Sequence, residues 1–418
     1  MWLWYSWQSA AVVNFELNAL EEDIANAIIA SAERVINGEL DSSFVVDIFQ
    51  TGSGTSTNMN ANEVISNVAI ESLGGELGSR NPVHPNDHVN KGQSSNDVFP
   101  STIHLAAAGA IKDNLLPSLK ELEDSLRAKS EEFWGVVKTG RTHLQDATPI
   151  RLGQEFLGYA GQLEFAGKRA EKALAELSVL ALGGTAVGTG IGMHPEFATR
   201  VISRLRVLTG LDLSETTNHF QAQSTLDAAV SASGELKSIA VGMLKIANDV
   251  RWLGSGPRAG IGEISLPEVQ PGSSIMPGKV NPVIAESVAM VSAQVIGNDA
   301  TITIAGQSGN FELNVMMPVA AHNLLESIDL LAAAARNFAR QCINDLVATS
   351  KGPKMVMQGL AICTALAPII GYDKAARLAH VASESGETIK QVALRETDLT
   401  DEELDKVLEP LSMTVPKA

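Results

Sequence analysis

Residues 215–253 limit the possible folds of this chain more than any other stretch. Leu226, Val230, Leu236, Ile239, Val241, Leu244, Ile246 and Val250 recur there among alanines, with no interior proline. On a helix they wrap more than one face, and a helix apolar most of the way round is buried on several sides. Residues 283–305 and 318–346 read in the same way. Residues 154–181 run unbroken to Gly183-Gly184, where a glycine cap is expected, and 103–134 form another long helix interrupted at Pro117. Period-2 strand patterns are scarce and no βαβ alternation occurs. The expected fold is mainly α, with a central bundle of long helices whose surplus apolar surface is shared between subunits.

The ends differ from the middle. Residues 1–100 mix short helices, at about 22–37 and 60–72, with loops rich in Gly, Ser, Asn and Pro. After Ser350-Lys351-Gly352-Pro353 the helices shorten, and 395–410 is acidic. Three domains are therefore expected, at 1–100, 101–350 and 351–418. No run of the ~20 apolar residues that a membrane span needs stands out. The opening MWLWYSWQSAAVV is apolar but has no Lys or Arg ahead of it, unlike a secretory signal, and lacks the Arg-rich character of a transit peptide. Cys342 and Cys363 lie in separate helical stretches, which suggests a reducing compartment. The chain reads as cytoplasmic.

A net charge of −17 argues against nucleic acid as a partner, because phosphates need a basic face. It also repels an anionic substrate. A dicarboxylate site would have to be locally positive, built from helix N-termini and a few cations, among which Lys279 matters most.

Four polar motifs punctuate the helical stretches. GSSIMPGKVNP, from Gly272 to Pro282, holds two glycines, two prolines, two serines, a lysine and an asparagine, so it is neither helix nor sheet interior. It is no phosphate loop: five residues separate Gly272 from Gly278, and Val280 stands where a metal-binding Ser or Thr belongs. Ser273 also lacks the G-x-S-x-G elbow of a hydrolase nucleophile. In TGSGTSTNMN (51–60) the glycines allow close backbone approach, while Ser53, Thr55 and Asn58 offer neutral donors suited to a carboxylate. The same residues serve equally as a helix cap, and Thr57 in place of a third glycine argues against dinucleotide binding. In HPNDHVNKGQSSNDVF (84–99), Pro85 and the lack of an HExxH pattern argue against a metal at His84 and His88. The clusters His84, Pro85, Asn86, Asp87 and Ser94, Ser95, Asn96 instead suit anion recognition at helix N-termini. GRTHLQDATPIRLGQEF (140–156) places His143 beside Arg141 and Thr142 in a loop-like run with Pro149 and Gly153. Of the eight histidines this one has the densest polar surroundings, and His is the natural acid/base at neutral pH.

These motifs together resemble the fumarase/aspartase superfamily, from about residue 45 to the C-terminus. Within it the chain resembles class II fumarases. They carry histidine in GRTHLQD and glycine in PGKVNP, as His143 and Gly278 do here, and ALGGTAVGTG (181–190) is also fumarase-like. The resemblance implies reversible hydration of fumarate to (S)-malate. Ser273 would remove the C3 proton of malate, His143 would activate water or protonate the departing hydroxyl, and Glu286 would orient that histidine. Ser53, Gly54, Thr55, Ser94, Ser95, Asn96, Thr142, Ser274, Lys279, Val280 and Asn281 would bind substrate, with His84–Asp87 as a second, non-catalytic dicarboxylate site. It further implies a homotetramer whose bundles join in a multi-helix core, active sites shared among three subunits, and no metal or organic cofactor. Membrane association is not expected. The other readings are an aspartate ammonia-lyase and an inactive helical scaffold. The family's GAQTQR-type opening segment is replaced here by Trp2, Trp4, Tyr5 and Trp7, which reads as a truncated or differently started frame and bears on how the first domain packs.

Overall fold

The computed structural model describes residues 5–416, so Trp2 and Trp4 lie outside the described residues. Helices dominate: α1 (Tyr5–Glu16), α2 (Glu22–Ile36), α3 (Thr55–Ser72), α4 (Ser95–Ala110), α5 (Leu116–Glu132), α6 (Leu152–Leu177), α7 (Phe197–Thr209), α8 (His219–Ser224), α9 (Asp227–Leu253), α10 (Val283–Gly306) and α11 (Met317–Phe338). Shorter ones follow: α12 (Lys351–Val356), α13 (Ala367–Ile370), α14 (Tyr372–Ser385), α15 (Ile389–Glu396) and α16 (Asp401–Val407). The strands pair only in twos: β1 (Val137–Thr142) with β2 (Gln145–Arg151), β3 (Val179–Leu180) with β4 (Ser214–Glu215), β5 (Ile264–Ser265) with β8 (Val347–Ala348), and β6 (Gly309–Asn310) with β7 (Leu313–Asn314).

Several boundaries differ from the sequence reading for identifiable reasons. Helix α6 stops at Leu177, because Val179 and Leu180 leave it to pair with Ser214 and Glu215; Gly183-Gly184 is therefore not its cap. The single helix expected over 215–253 is divided, with a break at Thr225-Leu226 between α8 and α9. Pro117 does not interrupt its helix. A π turn at Ile111–Leu115 joins α4 to α5 and takes up the backbone bond that proline cannot make. By length and mean hydropathy alone, helix α10 falls in the range of a membrane span. It nevertheless carries Asp299, buried against Ser233 and Lys237, as a helix packed in a protein core does.

By its contacts the chain forms two compact units, each drawn from three stretches of sequence. The first comprises 1–118, 166–241 and 290–333, the second 119–165, 242–289 and 334–418. Every boundary falls inside a helix of 17 to 27 residues, long enough to pack different neighbours at its two ends. In the first unit α1 packs on α2 and α7, with Trp7, Ile28, Ile65 and Phe197 buried. The opening helix is thus part of this unit's core. In the second unit the C-terminal helices close around Ile362, Leu366, Leu378, Val392, Leu404 and Leu408. Cys342 and Cys363 are free thiols, and burial pushes Cys342 up to about 12.

The run expected as loop at 140–156 instead lies in a β-hairpin, 137–151, and the start of α6. Gly140 sits at a bulge where a Cβ would stand 2.7 Å from the Thr148 carbonyl oxygen, so only glycine fits. Proline 149 is tolerated in β2 because a two-stranded sheet has only edges. Beneath the hairpin, Lys138 is 1% exposed and its Nζ meets Glu155 at 3.1 Å and Glu263 at 3.0 Å. Arg141 grips Glu263 with two bonds of 3.0 and 2.7 Å. Removing one member of a buried ion cluster leaves the others uncompensated, typically at ~3–5 kcal/mol. Glu263→Gln is therefore expected to lower unfolding stability by about 3 kcal/mol, measured by urea denaturation.

Candidate active site

In the first unit, two helix starts converge on a cavity of about 390 Å³ lined by Thr55, Asn58, Asn62, Asn86, Asn90, Ser94, Ser95 and Thr185 among others. Helix α3 starts at Thr55, five residues before its expected start, because Gly54 takes φ +73° and supplies the turn without a side chain. A Cβ at Gly54 would also stand 2.4 Å from the Phe99 ring. The hydroxyls that could have capped α3 are instead chained: Ser53 Oγ lies 2.8 Å from Thr55 Oγ1, and Thr55 Oγ1 lies 2.7 Å from Ser95 Oγ. Helix α4 opens with a capping box, Ser94 Oγ accepting from Asn96 N and Asp97 Oδ1 from Ser94 N. Asn96 Nδ2 donates to the Ala186 carbonyl at 2.8 Å. The cavity's lining is uncharged, and two helix N-termini, a kind of group that favours anions, open onto it.

Asn58 commits one of its two amide N–H donors to Asn90 Oδ1 at 3.2 Å. His84, Asn86 and Asp87 form the start of a π turn at Pro85–Val89, with His84 Nδ1 accepting from the N–H groups of Asn86 and Asp87. The ring therefore caps the turn, and its Nδ1 is occupied. His88 Nδ1 accepts from His84 N at 2.9 Å, and burial holds His88 below the usual imidazole range. Asn86 and Asp87 border a second space of about 430 Å³ with Lys91.

In the second unit, His143 and Leu144 are the two-residue tip of the β1–β2 hairpin, with φ +56° and +60°. A two-residue connection that follows the strand twist needs positive φ at both positions, usually met by Asn or Gly. Here a histidine and an exposed leucine carry it, and strain of ~1–3 kcal/mol per residue of this kind gathers at functional sites. Thr142 is exposed beside them. The serine loop is closed at its neck, where Asn281 Nδ2 donates to Gly272 O at 2.6 Å and a Cβ on Gly272 would strike the Lys279 carbonyl. Ser273 Oγ accepts from Ile275 N at 3.2 Å and from Met276 N at 3.0 Å. Ser274, Lys279 and Val280 are exposed on the loop, and Glu286 lies in the first turn of α10. No hydrogen bond or ion pair joins His143 to Glu286 among the described residues.

Asp97 lies in the 84–99 motif, but the sequence reading gave it no role. Its buried carboxylate accepts from Ser94 N at 2.9 Å, Gly183 N at 3.0 Å and Thr185 N at 2.9 Å. Burial pushes the carboxyl above the usual range, while these N–H groups favour its ionised form. The bonds hold Thr185 at φ +53°, a left-handed conformation that β-branched residues almost never adopt. The Ser94-x-x-Asp97 spacing signals the capping box; nothing local signals the bonds to residues 183 and 185.

Residues 2–297 match the family described as lyase, and residues 362–415 match the fumarase C C-terminus. The class of protein is thus a helical lyase. A class II fumarate hydratase of Methylorubrum extorquens is 51% identical over 412 residues, 98% of this chain and 87% of that protein. The mitochondrial fumarate hydratase of Homo sapiens is 50% identical over 411 residues, 98% of this chain and 80% of that one. The crystal structure of recombinant class II fumarase from Schistosoma mansoni superposes with a TM-score of 0.97 at 40% identity, covering 100% of this chain and 90% of that one. This chain belongs to the class II fumarase family.

Both oxygens of Asp97 face N–H donors, so an amide there would point its own NH₂ at one of them. Asp97→Asn is expected to cost ~1–3 kcal/mol, even though it removes a buried charge. Thermal unfolding of the variant checks this, and unchanged stability would mean the three bonds contribute nothing net.

Proposed function

We propose that the chain catalyses the reversible hydration of fumarate to (S)-malate. One observation supports this most directly: Ser273 Oγ receives two backbone N–H bonds within its own loop. A serine hydroxyl is far too weak an acid to serve as a base unless donors favour its alkoxide, and two converging N–H groups do so. In the malate direction Ser273 takes the C3 proton, and negative charge moves onto the adjacent carboxylate as an aci-carboxylate. The C2–O bond then breaks, His143 protonates the leaving hydroxyl, and fumarate and water remain. Lys279 and Asn281 stabilise the charge-bearing carboxylate, with Ser274, Val280 and Thr142 beside them. Ser53, Gly54, Thr55, Ser94, Ser95 and Asn96 hold substrate through the hydroxyls and helix N-termini of the uncharged cavity.

Glu286 orients His143 in this reading, and the pair forms between subunits of a homotetramer whose sites draw on three chains. Apolar residues on α9 and α10 that stand exposed in one chain support such an assembly: Val241, Trp252, Met290 and Ile304 are each more than half exposed. The His84–Asp87 turn is the proposed second dicarboxylate site, without a chemical role. Division into domains at 1–100, 101–350 and 351–418 remains part of the proposal; the separate apolar cluster within 362–408 supports the last of them. The free thiols are in keeping with a cytoplasmic enzyme, and the −17 charge with one that binds neither nucleic acid nor an anionic membrane surface.

Fumarate's ultraviolet absorbance, followed with malate and then with aspartate, tests the reaction. Malate should turn over and aspartate should not. Ser273→Ala and His143→Asn should each lower kcat by ~10²–10⁴-fold with little change in KM, because each removes an interaction used mainly in the transition state. A variant keeping wild-type kcat would remove that residue from the mechanism. His84→Asn should leave kcat nearly intact. Light scattering at micromolar concentration should find a tetramer; a folded, monodisperse monomer would rule out the shared core.

A further inference from the structure

The cavity of the first unit contains a built hydrogen-bond relay whose polarity is determined at both ends. Trp7 Nε1, which can only donate, bonds Asn62 Oδ1 at 2.8 Å. The Asn62 amide nitrogen must then face the other way, and it donates to Asn90 Oδ1 at 3.1 Å. At the other end, Asn90 Nδ2 donates to the Gln93 carbonyl at 3.0 Å, and a carbonyl can only accept. Asn90 Oδ1 is therefore an acceptor on both counts, and Asn58 must turn its own nitrogen toward it. No amide in the chain can flip without setting donor against donor or acceptor against acceptor.

The consequence falls on the last member. Asn58 is 3% exposed, lines the cavity, and carries a buried Oδ1 with no hydrogen-bond partner. Thr185, 4% exposed, lines the same cavity with an unpartnered Oγ1. Its N–H is taken by Asp97 and its carbonyl by Gln223 Nε2, so only the hydroxyl remains uncommitted. Buried polar atoms without partners are rare in folded proteins and costly, which marks them as atoms awaiting a ligand group.

We propose that Asn58 Oδ1 and Thr185 Oγ1 form an acceptor subsite for the hydroxyl of malate and, in the reverse direction, for the water that becomes it. The proposal rests on the fumarase reading and adds the residues that tell its two substrates apart. Fumarate as a dianion presents acceptors only. Malate presents one donor, its C2 hydroxyl, and an amide locked as an acceptor recognises that group alone.

Steady-state kinetics in both directions test this, because the fixed equilibrium constant ties the two kcat/KM values together. Asn58→Leu keeps the branching and heavy-atom count and removes the acceptor, together with the bond to Asn90. It should raise KM for malate about tenfold, the order of one hydrogen bond, with kcat from malate near wild type. In the fumarate direction KM should stay near wild type and kcat should fall about tenfold. Thr185→Val keeps the β-branch and should move the same two constants in the same directions; if Asn58→Leu does not fold, this variant decides alone. A parallel rise in both KM values, or a fall in kcat from malate with its KM unmoved, would overturn the subsite in a variant of wild-type melting temperature. Failure of the wild-type chain to turn over either acid would instead remove the reaction itself, and the subsite with it.

Discussion

The three backbone N–H bonds to Asp97 are the constraint on which the first unit's site depends. Helices supply rigidity, but the residues suited to ligand binding lie at helix starts and in turns, where nothing local holds them. A buried carboxylate at the third residue of α4 closes its own helix start and reaches residues 183 and 185 at once. That places the strained Thr185 turn and the Ser94–Ser95 start on one cavity. Burial makes the arrangement exacting, since a charge removed from water must be met by nearly every donor it faces.

The second unit uses the same device with different parts. Glu263, also buried, is met by Lys138 and Arg141, both from β1, so ions help to anchor the hairpin that presents His143 and Leu144. A two-stranded hairpin alone is marginal in water, and its tip here carries two left-handed side chains. In the serine loop the anchoring is neutral: the Asn281–Gly272 bond closes the neck, and Ser273 takes the two N–H groups inside it. His143 stands beside its anchor, whereas Asn281 and Ser273 are themselves part of theirs.

The distance along the chain between an anchor and what it holds explains which residues sequence motifs reveal. His143, Ser273, Lys279 and the Ser94–Asn96 cluster stand out because polar side chains crowd into short runs with glycine and proline. Asp97 and Glu263 hold those runs in place but are single acidic residues amid many, and their partners lie far away along the chain. Asn58 was legible as polar, while its role as donor or acceptor was set by Trp7 and the Gln93 carbonyl.

The sequence by itself determined the helical class, the positions of most long helices and the polar runs between them, because a 3.6-residue period and a glycine- or proline-rich break are local signals. Helix α2 and helix α10 fell within a residue of their expected ends for that reason. Only the tertiary structure decided that 137–151 is a hairpin, that Pro117 rides through on a π turn, that 215–253 divides at Thr225-Leu226, and that α3 starts at Thr55. Each of these turns on a partner distant in sequence or on a backbone dihedral that a side chain does not announce. Left-handed His143, Leu144 and Thr185 are held by bonds around them, against their own preference, and no local pattern encodes a conformation that the residue itself disfavours.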